Sequence, residues 1–296
     1  MFVTTNKVSS VIDYLKSELS GVYDEKESGN IISMLFEHYL GYSKIDMILN
    51  IENSLSESEL LLFHKALKRL KKNEPIQHIT QKSFFYDLEF KVNEHVLIPR
   101  PETEELVDLI LKENPNAEKV VDLCTGSGCI PISINVKLPK ANVFAIEKSR
   151  AALKVAYENG LIHKANIKWV EGDVLNSNWI EDIEKYLDLK ENYNVFDVLV
   201  SNPPYITNSE KNLMSQNVLD FEPGMALFVE NNNPLEFYKA IAEHGQNLLK
   251  LGGKIYLEIN ESYGNEMLSL LQEYGYSNCK IIKDLQGKDR IAFGVK

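Results

Sequence analysis

The chain has 296 residues, 44% of them hydrophobic and 25% charged, with a formal net charge of -11. That length and apolar content carry a full-size core for one large or two modest domains and exclude a disordered chain. The acidic balance excludes a protein that coats nucleic acid through a general basic surface, because such binding is dominated by phosphate neutralisation.

No run of 18 apolar residues occurs, and the opening "MFVTTNKVSSVIDYLKSEL" lacks a signal-peptide core, so the expected location is cytoplasmic with no membrane partner. Cys124, Cys129 and Cys279 are too few and too irregular for a disulfide framework and fit free thiols in a reducing compartment. The histidines His38, His64, His78, His95, His163 and His244 include no pair at helical metal-ligand spacing, so no metal is expected.

In chain order, residues 1 to about 75 read as helical. "ESELLLFHKALKRLKKN" places Leu60, Phe63, His64, Leu67 and Leu70 on one face, after a Ser-x-x-Glu start at Ser56 to Glu59. Its basic end, Lys68, Arg69, Lys71 and Lys72, suits a helix C-terminus or an acidic partner. From Ser83 the pattern alternates: Phe85, Leu88, Phe90 and Val92 take strand-like spacing, with a turn near Asn93-Glu94 and a second strand to Ile98, a hairpin joining two domains. Pro101 then suits a first helical turn, and Glu102, Glu104 and Glu105 suit its positive end.

The remainder alternates. Strands are predicted at 119 to 123, 142 to 147, 166 to 171, 195 to 201 and 253 to 260, and helices near 127 to 138, 149 to 160, 233 to 249 and 264 to 274, before two final strands in "NCKIIKDLQGKDRIAFGV". Strands separated by helices imply an α/β domain with a parallel sheet covered on both faces, which binds ligands at the carboxyl ends of its strands.

Those ends carry candidate chemistry. "KVVDL" runs into Cys124, Thr125, Gly126, Ser127 and Gly128, where the two glycines allow a tight turn and close backbone approach. "NVFAIE" ends on Glu147, whose carboxylate can accept both hydroxyls of a ribose, and "WVEGD" brings Asp173 to a place suited to an adenine amino group. A dinucleotide fingerprint asks for a third small residue where Pro131 stands, and a G-K-[ST] phosphate loop is absent. S-adenosylmethionine has ribose, adenine and a positive sulfonium but no phosphate, so an acidic site suits it.

The fourth strand, "FDVLV", stops on Ser201-Asn202-Pro203-Pro204-Tyr205. The prolines stiffen the loop and free carbonyls. Methyl transfer to nitrogen is an in-line displacement that needs the nucleophile about 3 to 3.5 Å from the methyl carbon. The Asn202 side-chain oxygen and the Pro203 carbonyl could hold the two hydrogens of a planar amide or aromatic amine and favour a more nucleophilic nitrogen, and Tyr205 could stack on the flat group, with no ionised base required. Glutamine amides and adenine amines both satisfy this arrangement.

"EPIQHIT", "FFYDLEFKV", "VLIPRPETEELVD", "VVDLCTGSGCI", "FDVLVSNPPYI", "FEPGMAL", "LEIN" and "KDLQGKDRI" occur here in one order, and in this the chain resembles the peptide chain release factor N(5)-glutamine methyltransferases. The resemblance implies an N-terminal helical substrate-recognition domain at 1–80, a connecting β-hairpin at 81–100 and a seven-stranded Rossmann-like S-adenosylmethionine-dependent methyltransferase domain at 101–296. It implies cofactor binding by Cys124, Thr125, Gly126, Ser127, Gly128, Glu147, Asp173 with Val174, and Asn202, leaving S-adenosylhomocysteine as product. It makes Asn202, Pro203, Pro204 and Tyr205 the catalytic grip on the substrate glutamine and puts Phe85, Arg100, Glu102 and Glu222 near the cleft. The implied partner is a class I peptide chain release factor, methylated on the glutamine of its Gly-Gly-Gln motif in support of translation termination. A monomer with no direct nucleic-acid contact is expected.

The sequence departs from the family pattern at Cys124 and Gln81, where glycine is usual, at Glu147, where aspartate is commoner, and over Glu230 to Leu235. Rival readings are a ribosomal-protein glutamine methyltransferase, an adenine N6 methyltransferase that extrudes its base, and a binding protein that retains a cofactor pocket without turnover.

Overall fold

Local chemistry sets the first helices: α1 (Val8–Leu19), α2 (Glu25–Leu40), α3 (Lys44–Leu49), α4 (Glu57–Leu70) and α5 (Ile76–Thr80). Asp24 caps α2, and Ser43–Asp46 and Ser56–Glu59 form capping boxes on α3 and α4, the second as predicted. Phe63, Leu67 and Leu70 of α4 are buried against Val11, Leu15, Ile32 and Phe36. The basic end of α4 is partly consumed internally, Arg69 by Glu74 and Lys71 by Glu18. The computed structural model describes residues 5–187 and 194–296, so residues 1–4 of the predicted helical stretch lie outside the described residues. Two units emerge: Met1–Gln81 with Ser215–Phe221, and Lys82–Met214 with Glu222–Lys296. No described helix is long and apolar enough to cross a membrane.

The second unit opens with a hairpin of β1 (Lys82–Phe85) and β2 (Leu88–Lys91), paired Lys82 to Lys91 and Phe85 to Leu88. This corrects the predicted turn. Tyr86 and Asp87 make the connection, with φ of 50° and 62°, as a tight two-residue hairpin loop requires. Reading Phe85 and Leu88 as one strand missed it because neither turn residue is glycine. Asn93 to Val96 does turn, but the chain to Ile98 pairs with no strand. Glu104 accepts the Tyr86 N–H at 3.0 Å, tying the hairpin to α6 (Pro101–Glu113).

The elements that follow are β3 (Lys119–Leu123), α7 (Cys129–Lys137), β4 (Asn142–Glu147), α8 (Arg150–Ile162), β5 (Ile167–Glu171), α9 (Ile180–Leu187) and β6 (Phe196–Ser201). Next come β7 (Ile206–Thr207), α10 (Gln216–Phe221), α11 (Gly224–Leu227), β8 (Phe228–Val229), α12 (Glu236–Leu248), β9 (Leu249–Glu258), α13 (Gly264–Glu273), β10 (Ser277–Lys283) and β11 (Asp289–Val295). The predicted strands and helices are present with small shifts. Pattern reading assigns nothing to the short pieces from β7 to β8, which lack a full period of either kind.

Seven strands form one sheet in the order β10-β11-β9-β6-β3-β4-β5, in which β11 alone runs opposite to the others and so pairs antiparallel with both β9 and β10. Successive residues point to opposite layers: Val121, Leu123, Leu199, Ile255 and Leu257 pack with α12 and α13, whereas Val120, Val198, Val200 and Tyr256 pack with α6 and α7. A parallel sheet covered on both faces needs such continuously apolar strands. The chain runs outward from β3 to β5 and then returns to β6 on the other side of β3, so the carboxyl ends of β3 and β6 flank the switch point where open α/β sheets bind ligands.

Candidate active site

At the switch point, register decides what meets what. Leu123 pairs with Ser201, and Ser201 pairs in turn with Leu257. The Ser201 hydroxyl donates to the Leu123 carbonyl at 2.6 Å, so the loop from Cys124 and the loop from Asn202 leave the sheet side by side.

The loop after β3 is a backbone construction. Cys124, Gly126 and Gly128 all have positive φ, at 64°, 56° and 80°. A Cβ on Gly126 would meet nothing within 4 Å, so conformation alone favours glycine there; at Gly128 it would also lie 3.1 Å from Ala156 and 3.2 Å from Trp169. Cys124 therefore bears a side chain in a glycine-type conformation. So does Gln81, at φ 56°, where it caps α5. Both are positions where the sequence departs from glycine in the pattern it resembles.

Glu147, at the end of β4, accepts the Gly126 N–H at 2.9 Å and the Ser149 N–H at 2.8 Å, bracing the glycine loop against the next strand. Burial raises its carboxyl above the ordinary range, opposed by these backbone donors. Beneath the loop, Asp122 is fully buried and accepts the Thr125 hydroxyl, while its other oxygen has no partner among the described residues. Burial first, and the nearby Glu147 charge second, push Asp122 well above the usual carboxylate range. Cys129 is pushed up to about 12 and Cys124 well above the usual thiol value, both by burial, so both remain neutral thiols.

A cavity of about 280 Å³ opens over these strand ends. Of the sequence-predicted cofactor residues, Cys124, Thr125, Gly126, Ser127, Glu147, Asp173, Val174 and Asn202 line it, and Gly128 does not. Its lining cations are committed: Lys148 pairs with Asp173 at 2.8 Å, and Arg100 with Glu222. Glu222 is buried and also accepts the Ile98 N–H at 3.0 Å, fixing the segment in which Pro223, Met225 and Ala226 join the wall.

The substrate-side predictions divide. Asn202, Pro204 and Arg100 line the cavity; Pro203, Tyr205, Glu102 and Glu222 do not. Phe85 lies at 1% exposure in the apolar layer with Phe90, Leu106 and Ile110. Tyr205 sends its hydroxyl to Glu258 at 3.2 Å, and burial raises it well above the ordinary tyrosine value. Sequence reasoning missed Asp122, Thr103, Asn159 and Glu258. Asn159 is fully buried, exchanges two hydrogen bonds with the Lys91 backbone and donates to the Ser127 carbonyl at 2.9 Å, joining hairpin, α8 and glycine loop. Glu258 ends the apolar run "KIYLE" as Glu147 ends "NVFAIE", a signal that could have found it; Thr103, one polar residue among acids, carried none.

The lining has the chemistry for S-adenosylmethionine. Two carboxylates stand at successive strand ends, and neither lining Lys nor Arg is left for a phosphate. A ligand with hydroxyls, an amine and positive charge meets acceptors here.

The chain is similar to known proteins in sequence and in fold. Residues 10–80 match the family described as PrmC N-terminal domain, and residues 102–221 match Methyltransferase small domain. The release factor glutamine methyltransferase of Bacteroides thetaiotaomicron is 40% identical over 96% of this chain and 98% of its own length. That of Flavobacterium psychrophilum is 40% identical over 92% and 93%. Among solved structures, the hMettl16 catalytic domain in complex with MAT2A 3'UTR hairpin 1 aligns with a TM-score of 0.56 and 17% identity over 84% of each chain, a likeness of fold.

Proposed function

Because the chain belongs to the release factor glutamine methyltransferases, we propose that it transfers a methyl group from S-adenosylmethionine to the side-chain amide nitrogen of the Gly-Gly-Gln glutamine in class I release factors. The observation that carries this reading is that Asn202 lines the same cavity as Glu147 and Asp173.

The cofactor, when bound, supplies an electrophilic methyl carbon on a sulfonium. Glu147 would receive the ribose hydroxyls with the acceptor capacity its two backbone donors leave, and Asp173 and Val174 would border the adenine. Thr125 to Ser127 would approach the cofactor through backbone. Asn202 Oδ1 and the Pro203 carbonyl would accept the two glutamine amide hydrogens, holding the nitrogen lone pair toward the methyl group. The amide nitrogen, positively charged and strongly acidic once it carries the methyl group, would pass one proton to water, so no ionised base is needed. The helices of residues 1–80 would recognise the body of the release factor, and the enzyme would act as a cytoplasmic monomer.

The test is incubation of purified protein with S-adenosylmethionine and a class I release factor, followed by mass spectrometry of the peptide that contains Gly-Gly-Gln. One added methyl on that glutamine, lost in Asn202→Ala, is the expected result. Cofactor binding without methylation would overturn the substrate and redirect the search to ribosomal proteins and then nucleic acid.

A further inference from the structure

The side chain of Asn202 can present either its oxygen or its NH2 group to a substrate, and only the oxygen accepts amide hydrogens. A chain of buried groups decides between them. Thr103, in the first turn of α6 and 2% exposed, donates its hydroxyl to Glu258 Oε2 at 2.7 Å. Glu258 is 1% exposed at the end of β9, where the pairing of Ser201 with Leu257 sets it beside Asn202. A hydroxyl has one proton, and a carboxylate can only accept, so the Thr103 proton is spent on Glu258 and Thr103 can only accept from its other neighbour. That neighbour is Asn202 Nδ2, at 3.3 Å. One N–H of this group is thereby engaged by Thr103, which itself lines the cavity, and Oδ1 is left as the side chain's acceptor.

The same carboxylate holds the other end of the loop. Tyr205 donates its hydroxyl to Glu258 Oε1 at 3.2 Å, so one buried carboxylate anchors the tetrapeptide Asn202 to Tyr205 directly at its last residue and, through Thr103, at its first. Arg290 lies close enough to favour the ionised form of Glu258, itself steadied by Asp284 at 3.1 Å. Burial raises the Glu258 carboxyl above its ordinary value, and the Thr103 hydroxyl, the Arg290 charge and the Tyr205 hydroxyl each oppose that rise by favouring the ionised form.

We propose that Thr103 and Glu258 are positioning residues for methyl transfer: Glu258 orients the Thr103 hydroxyl, which locks the Asn202 amide with Oδ1 toward substrate, while Tyr205 pins the far end of the loop to the same carboxylate. This rests on the reading of Asn202 as the acceptor of the substrate amide.

Thr103→Val, Thr103→Ser and Glu258→Gln separate positioning from folding. Methylation of a class I release factor is followed as kcat and KM, cofactor Kd is measured by calorimetry, and the Asn202 side-chain NH2 resonances, assigned by their loss in Asn202→Asp, are followed by NMR. Thr103→Val is expected to lower kcat roughly 10- to 100-fold, as sub-ångström misplacement does, with KM and cofactor Kd within roughly 3-fold. Thr103→Ser, which keeps the hydroxyl, restores activity to within roughly 3-fold of the parent. Glu258→Gln, which can offer a donor where an acceptor is needed, behaves like Thr103→Val. In both damaging variants the Asn202 NH2 resonances shift and exchange faster with solvent. Unmoved resonances in folded Thr103→Val, or equal damage from Ser and Val, would overturn the proposal. If the parent enzyme binds cofactor but leaves the release factor unmethylated while the resonances still move, the substrate reading falls and the positioning chain stands.

Discussion

The two halves of the cavity are built by different means. On the proposed cofactor half, the ends of β3, β4 and β5 offer a loop shaped by backbone angles, and its carboxylate Glu147 is itself held by backbone N–H groups of Gly126 and Ser149. On the proposed substrate half, Asn202 donates to Thr103 of α6, which donates in turn to Glu258 of β9, a chain of contacts made only in the folded protein. The contrast follows from the tasks. A cofactor with many polar atoms can be gripped by repeated, locally generated donors and acceptors. A single planar amide must be met at one angle, which takes a rigid support behind the group that touches it.

Substitutions in the two halves should therefore fail in different ways. The largest effect is expected for Asn202→Ala, which removes one acceptor from the reacting group: kcat falls about 100- to 1000-fold, or about 3 to 4 kcal/mol, while cofactor Kd measured by calorimetry changes far less, Asn202 being one of many groups expected to border the cofactor. A parallel loss of cofactor affinity would erase the distinction between the halves. Gly128→Ala should instead act on folding, costing about 2 to 4 kcal/mol in denaturant titration, because it adds a Cβ to a left-handed backbone and crowds Ala156 and Trp169.

Asp122 sharpens the comparison through pH. Its native carboxyl is raised by burial, so above the unfolded value the native state binds the proton more tightly, and its contribution to stability falls as pH rises toward the native value. Asp122→Asn should remove up to about 1.4 kcal/mol per pH unit of that decline, seen as a flatter stability profile from about pH 4 upward. A profile parallel to the parent would show that Asp122 does not hold its proton. The smallest effect is expected for Cys124→Gly, which relieves a left-handed side chain but frees the unfolded chain, for a gain of at most about 1 kcal/mol in thermal or chemical unfolding.

Much of the cofactor half was legible before folding because its signals are short in sequence. A strand that ends in small residues, and acids at the ends of the next two strands, are patterns within single elements, and β3 and β4 begin and end where alternation predicts. The hairpin turn at Tyr86-Asp87 was not legible, since left-handed residues other than glycine leave little trace in composition. Nor was the burial of Phe85, whose ring joins an apolar layer assembled from α6, α7 and the sheet.

The sequence alone was enough to settle the α/β class, the order of strands and helices, and most of the side chains that line the cavity at the ends of β3, β4 and β5, because hydrophobic period and turn chemistry act over a few residues. Folding was needed to bring Asn202, Thr103 and Glu258 together, since they lie on β6's exit, α6 and β9 and meet through the register of Ser201 with Leu257 and the packing of α6 on the sheet. An amide's orientation depends on which donor or acceptor faces it, and that neighbour is supplied by the packing of distant segments.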